Sequence, residues 1–476
     1  MSTRAGRDCL RSRRDKKVRR YRPWPPLSTQ PVFCKLAAQW QWNEAAARLA
    51  WYRIIQRADA GKWFLEATFI MEDRRSFLKT ALGVSMAPAL AAQVRPGGGA
   101  QAGIRKTIAS TGSKIKSIET FTSGQTLSIV RVRTDSGQEG YGQIAPYEAD
   151  ISATVLHRMA APQALGKDPA DLDGISDRCV EANYKFPWSF VCRALAGLDT
   201  ALWDIHGKTA GKSVCELLGG KPRPFPAYGS SMQRDIKPAD EAARLVRLRD
   251  ERGFRAFKIR IGSVCGHDKD QWPGRTEELV PTVRKAIGNE VSLLVDGNSC
   301  YTPAKAIEVG KMLAENKVCH FEEPCPYWEL EWTAQVAAAL DVPIAGGEQD
   351  NDLAQWRRMI AMHAVDIVQP DLCYIGGLTR ALRVAEMAAK ANRPCVPHSA
   401  NPSMVTVFTL HMLGAIGNAG PHLEFSIEPT GWTDGLFEPA LKVVDGKVPI
   451  PDGLGWGVTI GKDWLARAER RVSEKA

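Results

Sequence analysis

Residues 291–348 read VSLLVDGNSCYTPAKAIEVGKMLAENKVCHFEEPCPYWELEWTAQVAAALDVPIAGGE. Three short apolar runs, Val291–Asp296, His320–Glu322 and Pro343–Glu348, are separated by two amphipathic helical stretches. Each run ends on a carboxylate, and both steps between these acids are 26 residues. A β/α repeat takes roughly 30 residues, so the spacing predicts consecutive parallel strands that deliver their acids to one rim. The alternation continues on both sides, through Phe225–Gly229 and Ala256–Arg260 upstream and Asp366–Asp371, Pro394–His398 and His422–Glu424 downstream. Eight strand candidates with helices between most of them predict a closed (β/α) barrel. A doubly wound open sheet is the alternative, and the absence of a GxGxxG after any of these strands weighs against a dinucleotide fold.

From the second strand onward the runs end in Lys258 with Arg260, then Asp296, Glu322, Glu348, Asp371, His398 and Glu424. The intervals from Lys258 are 38, 26, 26, 23, 27 and 26 residues. Any one of these side chains reads most simply as a helix cap or a rim ion pair. Seven in phase point to a site at the carboxyl ends of the strands. Asp296, Glu322 and Glu348 converge from three consecutive strands and would repel one another without a cation. A hard divalent ion with oxygen ligands resolves this, and Mg²⁺ suits the donor set. Such an ion polarises a substrate carboxylate and stabilises the dianion left when the adjacent carbon loses its proton. His398 is a candidate base, with Asp371 fixing its tautomer. Alternate residues of a strand share a face, and a twisted or bulged strand end is expected to bring both Lys258 and Arg260 to the rim. Cationic neighbours are expected to lower the pKa of Lys258. Glu323 would point away from Glu322 on a regular strand and reads as structural.

These motifs resemble the enolase superfamily, in the mandelate racemase and muconate-lactonizing group. The resemblance covers roughly residues 114–460 and rests on ALAGLDTALWDIHGK (194–208), LLGGKPR, KIR, VDGN, FEEP, GGEQ, QPDLCYIGGLTRA, VPH and HLEF. It implies a modified TIM barrel, (β/α)₇β, with an α+β capping domain at 114–224, the barrel at 225–428 and a carboxyl-terminal segment, 429–476, returning to the cap. It makes Asp296, Glu322 and Glu348 the ligands of one Mg²⁺ per subunit, and His398 with Asp371 the catalytic dyad. Glu424 becomes the last-strand acid that hydrogen-bonds the substrate carboxylate or its enolate, and Asn298 a neighbour of the first ligand. Sites of this family use a Lys or His base with Mg²⁺. Family racemases carry Lys-x-Lys on the second strand, whereas this chain has Lys258-Ile259-Arg260. Arginine stays protonated and is a poor proton acceptor.

The leading expectation is therefore a hydro-lyase, an Mg²⁺-dependent acid-sugar dehydratase that converts an aldonate or aldarate to a 2-keto-3-deoxy acid through an enediolate. The alternatives are a racemase, epimerase or lactone cycloisomerase, and, in another class, an exported sugar-acid binding protein without turnover. The family also implies a symmetric homo-oligomer. By the same analogy the cap loops near Phe121–Gln125 and Gln143–Asp150 line the entrance, with Thr122, Gln125 and Glu148 as polar candidates.

Outside the barrel, Lys114–Phe121 and Leu127–Thr134 alternate around an Asp135-Ser136-Gly137 turn and predict a β-meander. A helical stretch runs from about Ile151 to Leu218 and stops at Gly219-Gly220-Lys221-Pro222. The front differs. Met71-Glu72-Asp73-Arg74-Arg75-Ser76-Phe77-Leu78-Lys79, then the apolar Ala81–Ala92, has the order of a twin-arginine export signal: charged segment, short apolar run, small residues at the cleavage site. This predicts a signal at 71–92, a linker at 93–113, the twin-arginine export machinery as a partner and a periplasmic location. It makes 1–70 an upstream extension outside the natural product.

The net charge of +10 suggests a nucleic-acid partner. Its distribution removes that class, because residues 1–70 hold 15 Lys+Arg against 5 Asp+Glu and the remainder balances at 48 each. The apolar runs are too short for a membrane anchor. Eleven cysteines without CxxC spacing give no zinc or redox framework. The expected partner is a small-molecule carboxylate.

Overall fold

The computed structural model describes residues 110, 112–186 and 188–475. The upstream extension, the twin-arginine segment and nearly all of the linker lie outside the described residues. Among those described, no helix is long and apolar enough to cross a membrane.

The cap sheet is antiparallel. Strands β1 (Ile115–Ser123), β2 (Leu127–Thr134) and β3 (Glu139–Gln143) form the meander, turning at Gly137, whose φ of 86° favours glycine. Against this sheet lies helix α1 (Ser189–Ala210), whose residues from Ala194 to Gly207 are all buried. A helix apolar on nearly every side needs cover all round. The meander covers one flank of α1 and the barrel another: the Trp203 indole donates to Thr379 Oγ1 at 3.0 Å, and Asp199 Oδ2 accepts from the Thr379 amide at 3.1 Å.

The barrel strands β4 (Pro224–Ser230), β5 (Ala256–Arg260), β6 (Ser292–Asp296), β7 (Val318–Glu322), β8 (Ile344–Gly346), β9 (Ile367–Val368) and β10 (Leu423–Ser426) pair in parallel, and β10 returns to β4. Helices α2 (Pro238–Arg252), α3 (Arg275–Ile287), α4 (Pro303–Glu315), α5 (Leu330–Ala339), α6 (Leu353–Ala361), α7 (Leu378–Lys390) and α8 (Met404–Leu413) make the connections. Their ends follow local chemistry. Proline opens α2, where no intrahelical bond is lost, and Gly253 at φ 74° closes it. The run Pro394–His398, expected as a strand, contributes only Cys395, bridged to Val368 and Ala419. Pro394 and Pro397 lack the N–H a ladder needs, so pairing cannot spread from that residue.

Four further strands complete the chain. β11 (Phe437–Glu438) pairs with β13 (Thr459–Ile460), and β12 (Lys447–Pro449) adds antiparallel to β4. β14 (Glu469–Glu474) pairs along β1 as the outer strand of the cap sheet. There the Glu119 carboxylate, buried between strands, accepts from Arg131 of β2 at 2.7 Å and Arg470 of β14 at 2.6 Å. Gln143 at the end of β3 joins cap to barrel: its Nε2 donates to Ser403 Oγ at 2.9 Å, and its Oε1 accepts from the Met404 amide at 3.0 Å, at the start of α8.

Candidate active site at the barrel mouth

Strand register sets the site. Arg260, Asp296 and Glu322 are lateral partners on β5, β6 and β7, so their side chains enter the barrel mouth at one level. Glu348 follows β8, Asp371 follows β9, His398 lies three residues beyond the bridged Cys395, and Glu424 is inside β10. All the expected residues of the site therefore reach one region, and Asp296, Glu322, Glu348, His398 and Glu424 are each at most 5% exposed. Gly347, before Glu348, has φ 108°, and a Cβ there would meet the Trp356 ring at 2.2 Å, so the turn that aims Glu348 requires glycine.

Lys258 differs from expectation. It is fully buried beneath the site carboxylates, with Nζ at 2.6 Å from Glu322, 2.8 Å from Glu424 and 3.8 Å from Asp296. Its neighbours are mainly carboxylates, so its pKa moves up, not down: burial opposes the charge, but Glu322 and Glu424 outweigh it. Glu322 is reciprocally held well below the usual carboxylate range, burial opposing and Lys258 dominating among the groups that lower it.

Around that lysine the carboxylates are saturated. Glu322 Oε1 accepts from Lys258 and Oε2 from Gln369 Nε2 at 2.8 Å. Glu424 Oε1 accepts from Ser230 Oγ and Oε2 from the Ser399 amide, both at 2.8 Å. Burial pushes the Glu424 carboxyl up, yet Lys258 and His398 bring it below its ordinary value. It is thus a buried anion anchoring Lys258, with each oxygen already accepting a hydrogen bond from the protein.

The other carboxylates are unsaturated. Asp296 Oδ1 accepts from the Asn298 amide at 2.7 Å, Glu323 Oε2 from Asn298 Nδ2 at 3.3 Å and Glu348 Oε1 from Gln349 Nε2 at 3.0 Å. Their second oxygens, Asp296 Oδ2, Glu323 Oε1 and Glu348 Oε2, are buried without a hydrogen-bond donor. Burial, then mutual repulsion, raises the pKa of Glu323 and Glu348. Glu323 is the residue that sequence reasoning misplaced. The strand ends at Glu322, and a left-handed φ of 41° at Glu323 turns its side chain back toward the acids. Among the described residues no three His, Cys, Asp or Glu side chains stand grouped as a ready metal-ligand set, and Glu322 is turned toward Lys258. Open, buried, oxygen-only donors nonetheless fit a hard divalent cation, which would relieve both the repulsion and the missing hydrogen bonds.

On the far side, His398 and Asp371 form the expected dyad. Asp371 Oδ1 caps the short turn Leu372–Ile375, accepting from the Cys373 and Tyr374 amides at 2.7 and 3.0 Å. That leaves Oδ2 for His398 Nδ1 at 2.8 Å. With Nδ1 donating, Nε2 faces Glu348 Oε2 at 3.2 Å. Burial lowers the pKa of His398, but Glu348, Glu424 and Asp371 carry it up to about 10. A cation at Glu348 would remove the largest of those raising contributions. Across the site stands Arg260, with Nε 3.4 Å from Asp296 Oδ2.

Sequence reasoning also missed Gln369, at the start of the QPD run, and Arg234, in the loop after β4, whose Nη2 donates to Asn298 Oδ1 at 2.8 Å. Arg193 of the cap stacks 3.7 Å over the Tyr374 ring. Thr122 is corrected in the other direction: buried in the cap sheet and bonded to Ser128 at 2.9 Å, it does not face a ligand.

Comparison with known proteins agrees with this architecture. The model of the mandelate racemase / muconate lactonizing enzyme N-terminal domain matches residues 107–219, and the enolase C-terminal domain-like model matches residues 240–464. Arabinonate dehydratase of Saccharolobus solfataricus is 30% identical over 336 residues, 69% of this chain and 87% of that protein. D-galactarolactone cycloisomerase of Agrobacterium fabrum is 32% identical over 350 residues, 71% of this chain and 89% of that protein. Among solved structures, a protein of Roseobacter denitrificans provisionally described as a racemase superposes with a TM-score of 0.75 at 55% identity, over 76% of this chain and all of that one. L-Talarate dehydratase of Polaromonas sp. JS666, complexed with Mg and L-glucarate, superposes with a TM-score of 0.66 at 25% identity, over 76% of this chain and 100% of that one.

Proposed function

The chain belongs to the mandelate racemase / muconate lactonizing group of the enolase superfamily, and from that premise we propose that it is a hydro-lyase that dehydrates an acid sugar to its 2-keto-3-deoxy acid. The observation that carries this reading is the asymmetry across the site: a His398–Asp371 dyad on one face and an arginine, Arg260, on the other. Racemisation needs a competent proton acceptor on each face, whereas syn elimination needs one group that first takes a proton and then returns it.

Asp296, Glu322 and Glu348 are the residues to hold Mg²⁺, with Glu323 beside them as a fourth carboxylate. When bound, Mg²⁺ supplies Lewis-acid stabilisation of the negative charge that develops on the substrate carboxylate. His398 Nε2 takes the α-proton, and the electron pair of that C–H bond enters an enediolate. Asp371 holds Nδ1 and stabilises the imidazolium. The same Nε2 proton then passes to the β-hydroxyl, the C–O bond breaks, water leaves, and the enol tautomerises to the 2-keto acid. Arg260 stabilises negative charge on the opposite face without accepting a proton.

Lactone cycloisomerisation is the second reading, favoured by the similarity to D-galactarolactone cycloisomerase, since it too begins with loss of one α-proton. Proton NMR in D₂O, with the purified protein, Mg²⁺ and a panel of aldonic, aldaric and aldarolactone substrates, separates the two. Loss of the α-proton signal with a 2-keto-3-deoxy product supports dehydration. Isomerisation of a lactone, or α-deuteration without elimination, replaces it. For location we propose the periplasm, on the order of charged, apolar and small residues over 71–92; recovery of the uncleaved chain in the cytosolic fraction alone would rule this out.

A further inference from the structure

Arg234, Arg260 and Arg275 are linked beyond the ends of β4 and β5; Arg234 Nε and Arg275 Nη2 are buried without a hydrogen-bond acceptor, and Arg260 Nε has only Asp296 Oδ2 near it, at 3.4 Å. They come from neighbouring elements and are tied together. Arg275, at the start of α3, is fully buried. It donates to the Arg260 carbonyl at 3.0 Å and to the Ile236 carbonyl at 3.3 Å, fastening the end of β5 to the loop that bears Arg234. The same loop is held from its other end by Glu428, after β10, which accepts from the Met232 amide at 3.0 Å and from Gln233 Nε2 at 2.9 Å. Arg244 locks Glu428 in turn, at 3.1 Å. Arg234 is therefore aimed before any ligand arrives, and its contact in the site is a neutral amide oxygen, Asn298 Oδ1.

The acids near this group are otherwise occupied or displaced. Glu241 pairs with Arg244 at 3.0 Å, Asp270 accepts from the Thr276 amide at 2.5 Å, and Asp235 is exposed. Asp296 is the one site carboxylate beside Arg260, and it is claimed by the proposed cation. Pre-positioned guanidinium groups with unfilled hydrogen-bonding capacity are built for a planar oxyanion.

We propose that Arg234, with Arg260 beside it, takes a second carboxylate of the substrate, so that the acid sugar is a dicarboxylate, an aldarate, and not an aldonate. Arg275 acts as the positioning residue of the pair. This inference rests on the acid-sugar reading above and selects within it.

The test measures binding apart from turnover. In the full-length chain carrying His398→Asn, with Mg²⁺ present, calorimetry compares stereochemically matched six-carbon aldarates and aldonates, with and without Arg234→Gln. Aldarate affinity is expected to fall about 10- to 100-fold on Arg234→Gln, and aldonate affinity to change less than about twofold, as befits loss of one charge-assisted contact. Arg234→Lys, which keeps the charge without the fork, is expected to lie between and keeps the test valid if the glutamine variant folds poorly. Equal loss for both acids, or a parent protein that binds aldonates more tightly, overturns the proposal. Because these are affinities, a protein that dehydrates nothing would sink the function proposed above and leave the comparison of the two acids at Arg234 intact.

Discussion

Two sets of carboxylates share the barrel mouth, and they differ in one respect. Every oxygen of Glu322 and Glu424 accepts a hydrogen bond, from Lys258, Gln369, Ser230 or the Ser399 amide. Asp296, Glu323 and Glu348 each leave one buried oxygen without a hydrogen bond, with Arg260 3.4 Å from that of Asp296 and His398 3.2 Å from that of Glu348. Burying a polar atom without a hydrogen bond costs about 1–3 kcal/mol, so a fold that leaves three carboxylate oxygens in this state at one place, one of them without even an ion-pair neighbour, holds that cost against something it binds. Glu424 belongs to the architecture and the unsaturated set to the chemistry, while Glu322 serves both, anchoring Lys258 and standing as a proposed ligand of the cation.

The largest test of that division is His398→Asn. It removes the only proposed acid/base group and is expected to lower turnover by at least about 10³-fold while Mg²⁺ binding, followed by calorimetry, stays intact. Residual activity near the parent's would transfer the role to another residue. Next comes the saturated set. Lys258→Met strips the counter-charge from Glu322 and Glu424 and should destabilise the protein by about 3–5 kcal/mol in denaturant melts, with or without Mg²⁺.

Asp296→Asn should behave in the opposite sense. Without metal it relieves repulsion and leaves stability equal or higher. With Mg²⁺ at 100 times its dissociation constant, it forfeits the gain of about 2.7 kcal/mol that the parent protein shows. If Lys258→Met and Asp296→Asn gave the same metal-dependent pattern, the division between the two sets would be wrong. A separate test lies outside both. Asp199, buried between cap and barrel, has its pKa pushed up by burial to about 7. A raised folded-state value means this group's contribution is complete below about pH 4 and fades as pH climbs to about 7. Asp199→Asn should therefore be more stable relative to the parent at pH 8 than at pH 4, by up to about 4 kcal/mol for a shift of this size, in paired denaturant titrations.

What could be read in advance follows from periodicity. Asp296, Glu322, Glu348, Asp371, His398 and Glu424 are legible because a β/α repeat returns the chain to the same rim at near-constant intervals. Position along the chain does not say which oxygen meets which donor. The sign of the Lys258 shift was lost for that reason, since its three carboxylate neighbours arrive from β6, β7 and β10. Glu323 was lost because strand alternation stops where φ changes sign. Arg234 and Arg275 sit in a loop and at a helix start, where no period marks them. The run Pro394–His398 carried its own warning in two prolines.

The pairing of β14 with β1 bears on how the molecule is assembled. Glu119 and Arg470 are 351 residues apart, yet they share one ion pair, in which the glutamate is buried and the arginine exposed. Until residues 469–474 have been synthesised, β1 is an open sheet edge on which Glu119 has Arg131 of β2 but lacks Arg470, and the barrel between them can form while the cap waits. Contacts of such long range form late and leave an edge available for mispairing in the meantime. Cap closure then waits on β14, and a label or truncation touching residues 469–474 acts on a sheet that begins near residue 115.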